Sequence, residues 1–294
     1  MYFLLAALLP FTAAETYAAT QAAPSSYVYG VYAAGPKIFA ATSSGLSISR
    51  EGGSRWRSYT TEQGLVADTV YGVCVNGTAI YAATNVGLSV SRDGGATWTT
   101  SLAGSYVNGV YAADGTMYAA TDFGLQVSRD NGATWTTYLK GSYLNGVYVD
   151  GKSVYAATDQ GISISRDGGA DWTTYTIING LGDNTVYGVY ATGQTIYAAT
   201  GGGLDISRDG GAHWTITLAG SIVNAVSAAG ASIYAATDGS LAVSQDGGKT
   251  WTGYLGGSMV NGVYVKGAAV YAATSQGLEV STNAGETWKR MVPA

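Results

Sequence analysis

The chain has 294 residues and can therefore bury a large core, while its 43 glycines and low charged fraction of 11% favour strands and tight turns. A formal net charge of −5 without a basic cluster argues against a nucleic-acid partner, because phosphate binding needs a concentrated positive face. The single cysteine, Cys74, excludes an intrachain disulfide and a cysteine-based zinc cluster. We expect no metal and no cofactor.

The first residues have the composition of a secretory signal. Residues 2–9 form an apolar run that is too short to cross a bilayer, and three small residues follow at 12–14. We therefore predict a signal peptide at 1–14, a linker at 15–26 and a single domain at 27–294. No later stretch is apolar and long enough to span a membrane, so we expect a secreted, periplasmic or cell-surface protein.

The rest of the chain repeats one octapeptide seven times. The copies are SREGGSRW (49–56), SRDGGATW (91–98), SRDNGATW (128–135), SRDGGADW (165–172), SRDGGAHW (207–214), SQDGGKTW (244–251) and STNAGETW (281–288). Successive tryptophans are separated by 42, 37, 37, 42, 37 and 37 residues. A period of this length made of strand-like pieces is typical of propeller blades.

The third repeat illustrates the predicted elements. Strands are expected at 107–113, 116–121, 125–129 and 134–139, with the octapeptide turn between the third and the fourth. We label the four strands of each repeat A to D. Seven such sheets packed face to face close into a ring, which predicts an all-β, seven-bladed β-propeller of four-stranded antiparallel blades. Closure is expected to rest on packing between blades one and seven.

The octapeptide resembles the Asp-box, or BNR repeat, whose pattern is Ser-x-Asp-x-Gly-x-Thr-Trp. Two copies depart from it at the aspartate, with Glu51 and Asn283. The resemblance implies that the motif occupies each C–D turn. We interpret its aspartate as an acceptor for amides of its own turn, and its tryptophan as a buried apolar group. These structural residues are Asp93, Asp130, Asp167, Asp209 and Asp246, with Trp56, Trp98, Trp135, Trp172, Trp214, Trp251 and Trp288. Each of these roles is fulfilled within the turn itself, so the motif is predicted to be structural.

Asp-box propellers include sialidases and xyloglucan-cleaving glycosidases, which raises the question of catalysis. The arginine triad of sialidases cannot be placed, because five arginines here occupy the second position of the octapeptide. The only histidine, His213, replaces an octapeptide threonine. Two suitably spaced carboxylates can hydrolyse a glycoside, and Asp68 with Asp183 is the pair we would test. We predict no enzyme activity, with a glycoside hydrolase using this pair as the alternative.

The departures from sevenfold repetition indicate where a partner binds. Two D–A connections, 60–70 and 176–186, are five residues longer than the others. D–A and B–C connections share one face of a propeller, and such loops commonly carry function. The candidate ligand-binding residues on this face are Glu62, Asp68, Tyr71, Asn108, Asp122, Asn145, Asp159, Asn179, Asp183, Asn184, Tyr187, Asn224 and Asn261. Turn chemistry alone is the competing interpretation of the asparagines and aspartates.

Two further resemblances bear on function. The long connections are similar to the GL-x-x-N-x-V phrase of propellers in bacterial two-component sensors, and the whole repeat array resembles the photosystem II assembly factors, which bind a protein partner. We predict a non-catalytic binding or scaffold module that engages a glycan, a peptide or a protein. A self-assembling surface or filament subunit is a further alternative, because low charge and many Tyr, Thr and Ser residues suit packing between copies.

Overall fold

The structure, a computed structural model, describes residues 27–113 and 115–291, so the predicted signal peptide and linker lie outside the described residues. The first four blades contain β1 (Val28–Ala34), β2 (Lys37–Thr42), β3 (Gly45–Ser49), β4 (Trp56–Tyr59), β5 (Val70–Asn76), β6 (Ala79–Thr84), β7 (Gly87–Ser91), β8 (Thr99–Ser101), β9 (Val107–Ala113), β10 (Thr116–Thr121), β11 (Gly124–Ser128), β12 (Thr136–Tyr138), β13 (Leu144–Asp150), β14 (Ser153–Thr158), β15 (Gly161–Ser165) and β16 (Thr173–Tyr175).

The last three blades contain β17 (Val186–Thr192), β18 (Thr195–Thr200), β19 (Gly203–Ser207), β20 (Thr215–Thr217), β21 (Val223–Ala229), β22 (Ser232–Thr237), β23 (Leu241–Ser244), β24 (Thr252–Tyr254), β25 (Val260–Lys266), β26 (Ala269–Thr274), β27 (Gly277–Ser281) and β28 (Lys289–Met291). Two 3-10 helices, Thr61–Gln63 and Ile177–Asn179, lie in the long D–A connections. In the described chain, consecutive strands form seven four-stranded antiparallel sheets in the order A-B-C-D. The predicted all-β, seven-bladed propeller is confirmed.

The core lies between blades because the B and C strands are buried on both faces. β6, for example, is buried from Ile80 to Thr84. Each apolar cluster combines residues of two neighbouring blades. The cluster that joins the first and last blades includes Val28, Ile38 and Leu278, and the Asn261 side chain donates to the carbonyl of Val28 at 2.8 Å. Packing between blades one and seven therefore closes the ring, as predicted.

The inner strands approach one another closely near the channel. A Cβ on Gly30 would lie 3.2 Å from the carbonyl oxygen of Tyr71 in the next blade, and a Cβ on Gly262 would lie 3.1 Å from that of Tyr29. A side chain at these positions would push neighbouring A strands apart. Glycine stands at the third position of the A strand in six of the seven blades, with Ala225 in blade six, and at Gly30 and Gly262 it permits the close approach of the neighbouring strands.

Hydrogen bonds between turns define two faces. The amide of Asp122 in a B–C turn donates to the carbonyl of Tyr106 at 3.4 Å, and the amide of Gly141 in a D–A connection donates to that of Phe123 at 3.3 Å. We call the face formed by the D–A and B–C connections the upper face. The C–D turn bonds instead to the A–B turn, as in Gly168 N to Lys152 O at 2.9 Å, and these turns form the lower face.

The D strands are shorter than predicted. The expected strand at 134–139 is observed only as β12, and its residues are largely exposed. Trp135 still belongs to the preceding turn, and Leu139 has a φ of 49°, which ends the extended conformation. Leu102, Leu218 and Leu255 have the same left-handed backbone at the ends of their blades.

The octapeptide folds into the C–D turn and is held by its aspartate. Oδ1 of Asp130 accepts bonds from the Ser128 hydroxyl at 2.8 Å and the Thr134 amide at 2.9 Å, while Oδ2 accepts from the Thr134 hydroxyl. The Thr134 hydroxyl and amide, with Ser128, lower the pKa of Asp130 to about 2. The Ser128 hydroxyl also accepts from the Gly132 amide at 2.7 Å, which completes the turn.

The motif is less local than the sequence indicated, because its arginine and tryptophan contact other blades. The arginine at its second position donates to a backbone carbonyl in the next blade's C–D turn, in the pairs Arg50–Gly94, Arg92–Asn131, Arg129–Gly168, Arg166–Gly210 and Arg208–Gly247. The tryptophans are half-buried and pack on the cluster shared with the preceding blade. Trp98 meets the Tyr59 ring edge-on at 5.7 Å, and the Trp135 indole donates to Ser101 at 3.0 Å. The octapeptide therefore joins blades as well as closing its own turn.

Candidate binding face

Exposed apolar side chains are concentrated on the upper face. Seven of the eight large exposed apolar residues in the described chain lie there: Val86, Phe123, Tyr143, Ile177, Ile178, Ile222 and Met259. Phe123 is 70% exposed and Ile178 is 91% exposed. The eighth, Ile216, lies on an outer D strand. Concentration of such residues on one face is typical of an interaction surface.

A row of tyrosines follows the upper ends of the first three inner strands. Ring centroids are 4.8 Å apart for Tyr27 and Tyr29, 5.2 Å for Tyr29 and Tyr71, and 5.1 Å for Tyr71 and Tyr106, whose rings are stacked. All four side chains are half-buried. Tyr71 belonged to the predicted site, whereas the other three were missed. Tyr29 shares the second A-strand position with Tyr71, whereas Tyr27 and Tyr106 directly precede the first residues of β1 and β9, and these repeated positions were their signal in the sequence.

The four predicted asparagines connect neighbouring inner strands. The side-chain amide of each donates to the carbonyl of the first A-strand residue of the next blade, in the pairs Asn108–Leu144, Asn145–Val186, Asn224–Val260 and Asn261–Val28, at 2.8 to 3.0 Å. The Asn108 Oδ1 accepts from the Tyr143 hydroxyl at 3.3 Å. These bonds give the asparagines a structural role between blades, and ligand contact by them stays a prediction.

Each long connection begins with a capped 3-10 helix. In the second one, the Thr176 hydroxyl accepts from the Ile178 amide at 3.2 Å, and the Asn179 side chain accepts from the Thr176 amide at 2.9 Å. Asn184 then accepts from the Ile177 amide at 3.0 Å. The buried Leu181 packs into the core between blades four and five. The connection is therefore a packed element, and Asn179 and Asn184 use their side-chain oxygens to hold it.

The first long connection has the same design with different exposed residues. Asp68 takes the place of Asn184 and accepts from the Thr61 amide at 2.7 Å. Glu62 takes the place of Ile178 and is exposed. The two connections therefore share one backbone shape but expose different side chains, Glu62 on the first and Ile178 on the second.

The proposed carboxylate pair lies in two separate connections. Asp68 precedes blade two, whereas Asp183 precedes blade five and accepts from the Thr185 amide at 2.7 Å. Asp183 occupies the position of Ala67, so the two carboxylates are not equivalent in their connections. The other predicted residues, Asp122, Asp159 and Tyr187, lie in two B–C turns and near the start of β17.

Sequence reasoning missed a buried carboxylate in the middle of β19. Asp205 is fully buried, where blade two has Ser89. Its carboxylate accepts from the Gly182 amide at 3.0 Å and from the Thr200 hydroxyl at 3.1 Å, and so anchors the second long connection. The pKa of Asp205 is raised to about 6, mainly by burial and also by the nearby Asp183 charge, while the two hydrogen-bond donors oppose the shift. An acidic residue at a C-strand position that holds serine in three other blades was the available signal, and blade seven shares it with Glu279.

The protein is expected to gain stability from Asp205 as the pH falls from about 6 to about 4, because the folded state then binds a proton that the unfolded chain does not. Asp205→Ser, which copies Ser89, should remove this dependence. Urea unfolding at pH 7.5, 6 and 4.5 measures it. Parallel pH profiles for the two proteins would contradict the assignment of the raised pKa to Asp205.

The described residues contain neither a metal-binding cluster nor a membrane-spanning helix. No group of three or more His, Cys, Asp or Glu side chains between residues 27 and 291, Asp114 apart, is arranged to hold a metal ion. Within the same part of the chain, no helix is long and apolar enough to cross a membrane.

Comparison with known proteins places the chain among propellers. No protein-family model and no curated protein matches the sequence. The structure is similar to the extracellular domain of BT4673 from B. thetaiotaomicron, with a TM-score of 0.70 and 14% identity over 87% of this chain and 38% of that chain. It is also similar to YCF48 bound to D1 peptide, with a TM-score of 0.70 and 15% identity over 89% of this chain and 94% of that one. An ancestral GH74 enzyme gives a TM-score of 0.71 and 17% identity over 93% and 47% of the two chains.

These similarities establish the fold alone. Identities of 14 to 17% are too low to carry activity or partners across. The chain spans less than half the length of the BT4673 and GH74 structures, and nearly the full length of YCF48. An extracellular domain, a protein with a bound peptide and an enzyme all occur among its structural neighbours.

Proposed function

We propose that this chain is a non-catalytic propeller that binds a polypeptide partner through its upper face, and that its octapeptide is an Asp-box. The observation that carries the proposal is the exposed apolar surface of the upper face, which includes Phe123 and Ile178. The free energy falls when a partner covers an apolar side chain that a rigid ring otherwise exposes to water. The peptide bound by YCF48 supports a polypeptide ligand.

We also propose that the protein acts outside the cytoplasm. Residues 1–14 have the composition of a secretory signal, and the BT4673 neighbour is an extracellular domain. Detection of the mature chain beginning near residue 15 in the secreted or periplasmic fraction would support this location. Recovery of the chain with residues 1–14 still attached would oppose it.

Replacing Phe123 or Ile178 by serine is expected to weaken binding about tenfold, or 1.4 kcal/mol, because each change removes apolar area that the partner covers. The probe is the tightest peptide selected from an unbiased display library, measured by isothermal titration. Ile216→Ser is the matched control, since Ile216 is an exposed isoleucine on an outer D strand. All three proteins should unfold at the same urea concentration, because surface substitutions change stability little.

A greater loss with Ile216→Ser than with the two upper-face variants would move the site to the outer strands. A glycan array and a glycoside-hydrolysis assay test the other hypotheses in parallel. Hydrolysis that disappears in both Asp68→Asn and Asp183→Asn would replace the binding proposal by a glycosidase. Concentration-dependent light scattering without any ligand would favour the self-assembling subunit.

A further inference from the structure

Charge is distributed unequally between the two faces of the ring. The D–A and B–C connections of the upper face contain six carboxylates, Glu62, Asp68, Asp122, Asp159, Asp183 and Asp238, and a single cation, Lys140. The lower face is mixed, because each octapeptide aspartate there has a cation in its own turn, as Asp130 has Arg129 and Asp246 has Lys249. The net negative charge of the described chain therefore lies mainly on the face that also carries the exposed apolar residues.

The acidic and aromatic groups meet on blades two to four. Phe123 follows Asp122 in a B–C turn whose amide bonds to Tyr106, the last member of the tyrosine row. Val86 in the preceding blade and Asp159 in the following one occupy matching B–C turns and are exposed. This sector combines flat aromatic rings, an exposed phenyl group and two carboxylates on three adjacent blades.

Asp122 has unused hydrogen-bonding capacity. Its Oδ1 is buried and has no hydrogen-bond partner among the described residues. The equivalent residue in blade six, Asp238, accepts from the Asn224 side chain at 3.0 Å. In blade three, the corresponding Asn108 bonds to Leu144 and Tyr143 instead. The charge of the Asp122 carboxylate is therefore not offset by an internal donor to Oδ1, and beside an exposed apolar surface it favours a cationic ligand.

We propose that the upper face over blades two to four binds a cationic polypeptide segment in which lysine or arginine alternates with apolar side chains. The cationic groups pair with Asp122 and Asp159 and lie over tyrosine rings, whose faces attract cations. The apolar side chains cover Phe123 and Val86. This inference rests on the proposed function and specifies the chemistry of the partner.

Other classes of binding partner match fewer of the groups on this surface. A neutral glycan leaves the carboxylates without cations, and a nucleic acid is repelled by them. A second copy of this chain offers either the same acidic face, which repels it, or a lower face whose cations already neighbour carboxylates. The Arg129 guanidinium, for instance, lies in the same turn as Asp130 and is also engaged by the backbone carbonyl of Gly168, to which it donates at 2.7 Å. A free cationic segment matches both the charge and the apolar groups.

The test uses three synthetic peptides of equal length, in which leucine alternates with lysine, glutamate or serine. Fluorescence anisotropy at low salt should give the lysine peptide an affinity about tenfold above that of the other two, and raising the salt to about 0.3 M should weaken it. Asp122→Asn combined with Asp159→Asn should reduce its binding about fivefold or more. Asp171→Asn combined with Glu286→Gln removes the same charge from exposed lower-face positions and should leave binding unchanged.

Thermal unfolding of both double variants establishes that each is folded, and the Asp122 change should not lower stability because its buried Oδ1 has no partner to lose. Equal binding of the three peptides would overturn the inference, as would an equal loss in the two double variants. The proposed function would survive either result if Phe123→Ser still weakened peptide binding. Absence of binding by all three peptides, with binding on the glycan array, would overturn both.

Discussion

Replacement of Gly161 by alanine is expected to lower the free energy of unfolding by about 4 kcal/mol, the largest effect of any single substitution proposed for this protein. Gly161 begins β15 with a φ of 127°, a conformation that alanine resists. A Cβ at this position would lie 2.1 Å from the carbonyl oxygen of Tyr175. That oxygen belongs to the paired D strand, so relief requires the backbone of β16 to move away.

The turn before Gly161 cannot relax easily. The Thr158 hydroxyl donates to the carbonyl of Gly161 at 2.8 Å and also accepts from the amide of Gln160 at 3.0 Å. Blade six is the natural exception, since Ser240 stands at this position and its C strand begins one residue later, at Leu241. A side chain is therefore accommodated only where the strand is shortened.

Gly277→Ala provides the matched control. Gly277 has nearly the same φ, 126°, but among the described residues its Cβ would meet only the Met291 carbonyl at 3.6 Å, an ordinary contact. Gly277→Ala is expected to lower the free energy of unfolding by about 1–2 kcal/mol, because it introduces backbone strain without a clash. Guanidinium unfolding followed by tryptophan fluorescence measures both variants. Equal losses would mean that strain dominates and that the approach of the D strand contributes nothing.

Truncation of Trp135 to alanine is expected to lower the free energy of unfolding by about 3 kcal/mol, near the lower end for a large aromatic because the indole is half-buried. The ring packs on the cluster between blades two and three, which includes Val107 and Met117. Its Nε1 donates to the Ser101 hydroxyl in the preceding blade at 3.0 Å. The change therefore weakens a contact between blades as well as the turn.

Trp135→Phe and Trp98→Phe separate the hydrogen bond from the packing. The Trp98 Nε1 is buried without a hydrogen-bond partner among the described residues, so its loss removes no bond. Trp135→Phe should lower the free energy of unfolding by about 1 kcal/mol more than Trp98→Phe does. Similar costs would contradict a stabilising role for the Ser101 bond. Loss of peptide binding in folded Trp135→Ala protein would contradict the structural interpretation of the motif.

The sequence by itself determined the features that depend on neighbouring residues. The 37- and 42-residue spacing gave the blade number, and the alternation of apolar residues with turn residues located the A, B and C strands. The hydrogen bonds of Asp130 stay within one octapeptide, and a local pattern was enough to predict them. The two long connections were found because an insertion into a regular repeat can be recognised from the sequence alone.

Only the tertiary structure decided which groups meet across blades. Arg129 and Asn108 reach carbonyls 39 and 36 residues away, and Asn261 reaches one 233 residues away, because closure of the ring fixes these separations. Burial of Asp205 beneath the second long connection likewise depends on packing. The apolar groups on the upper face were absent from the predicted site, since a valine or phenylalanine in a B–C turn appears ordinary until its exposure is known. A turn's conformation is set by its own residues, whereas exposure and charge on a face are set by which turns the ring brings together.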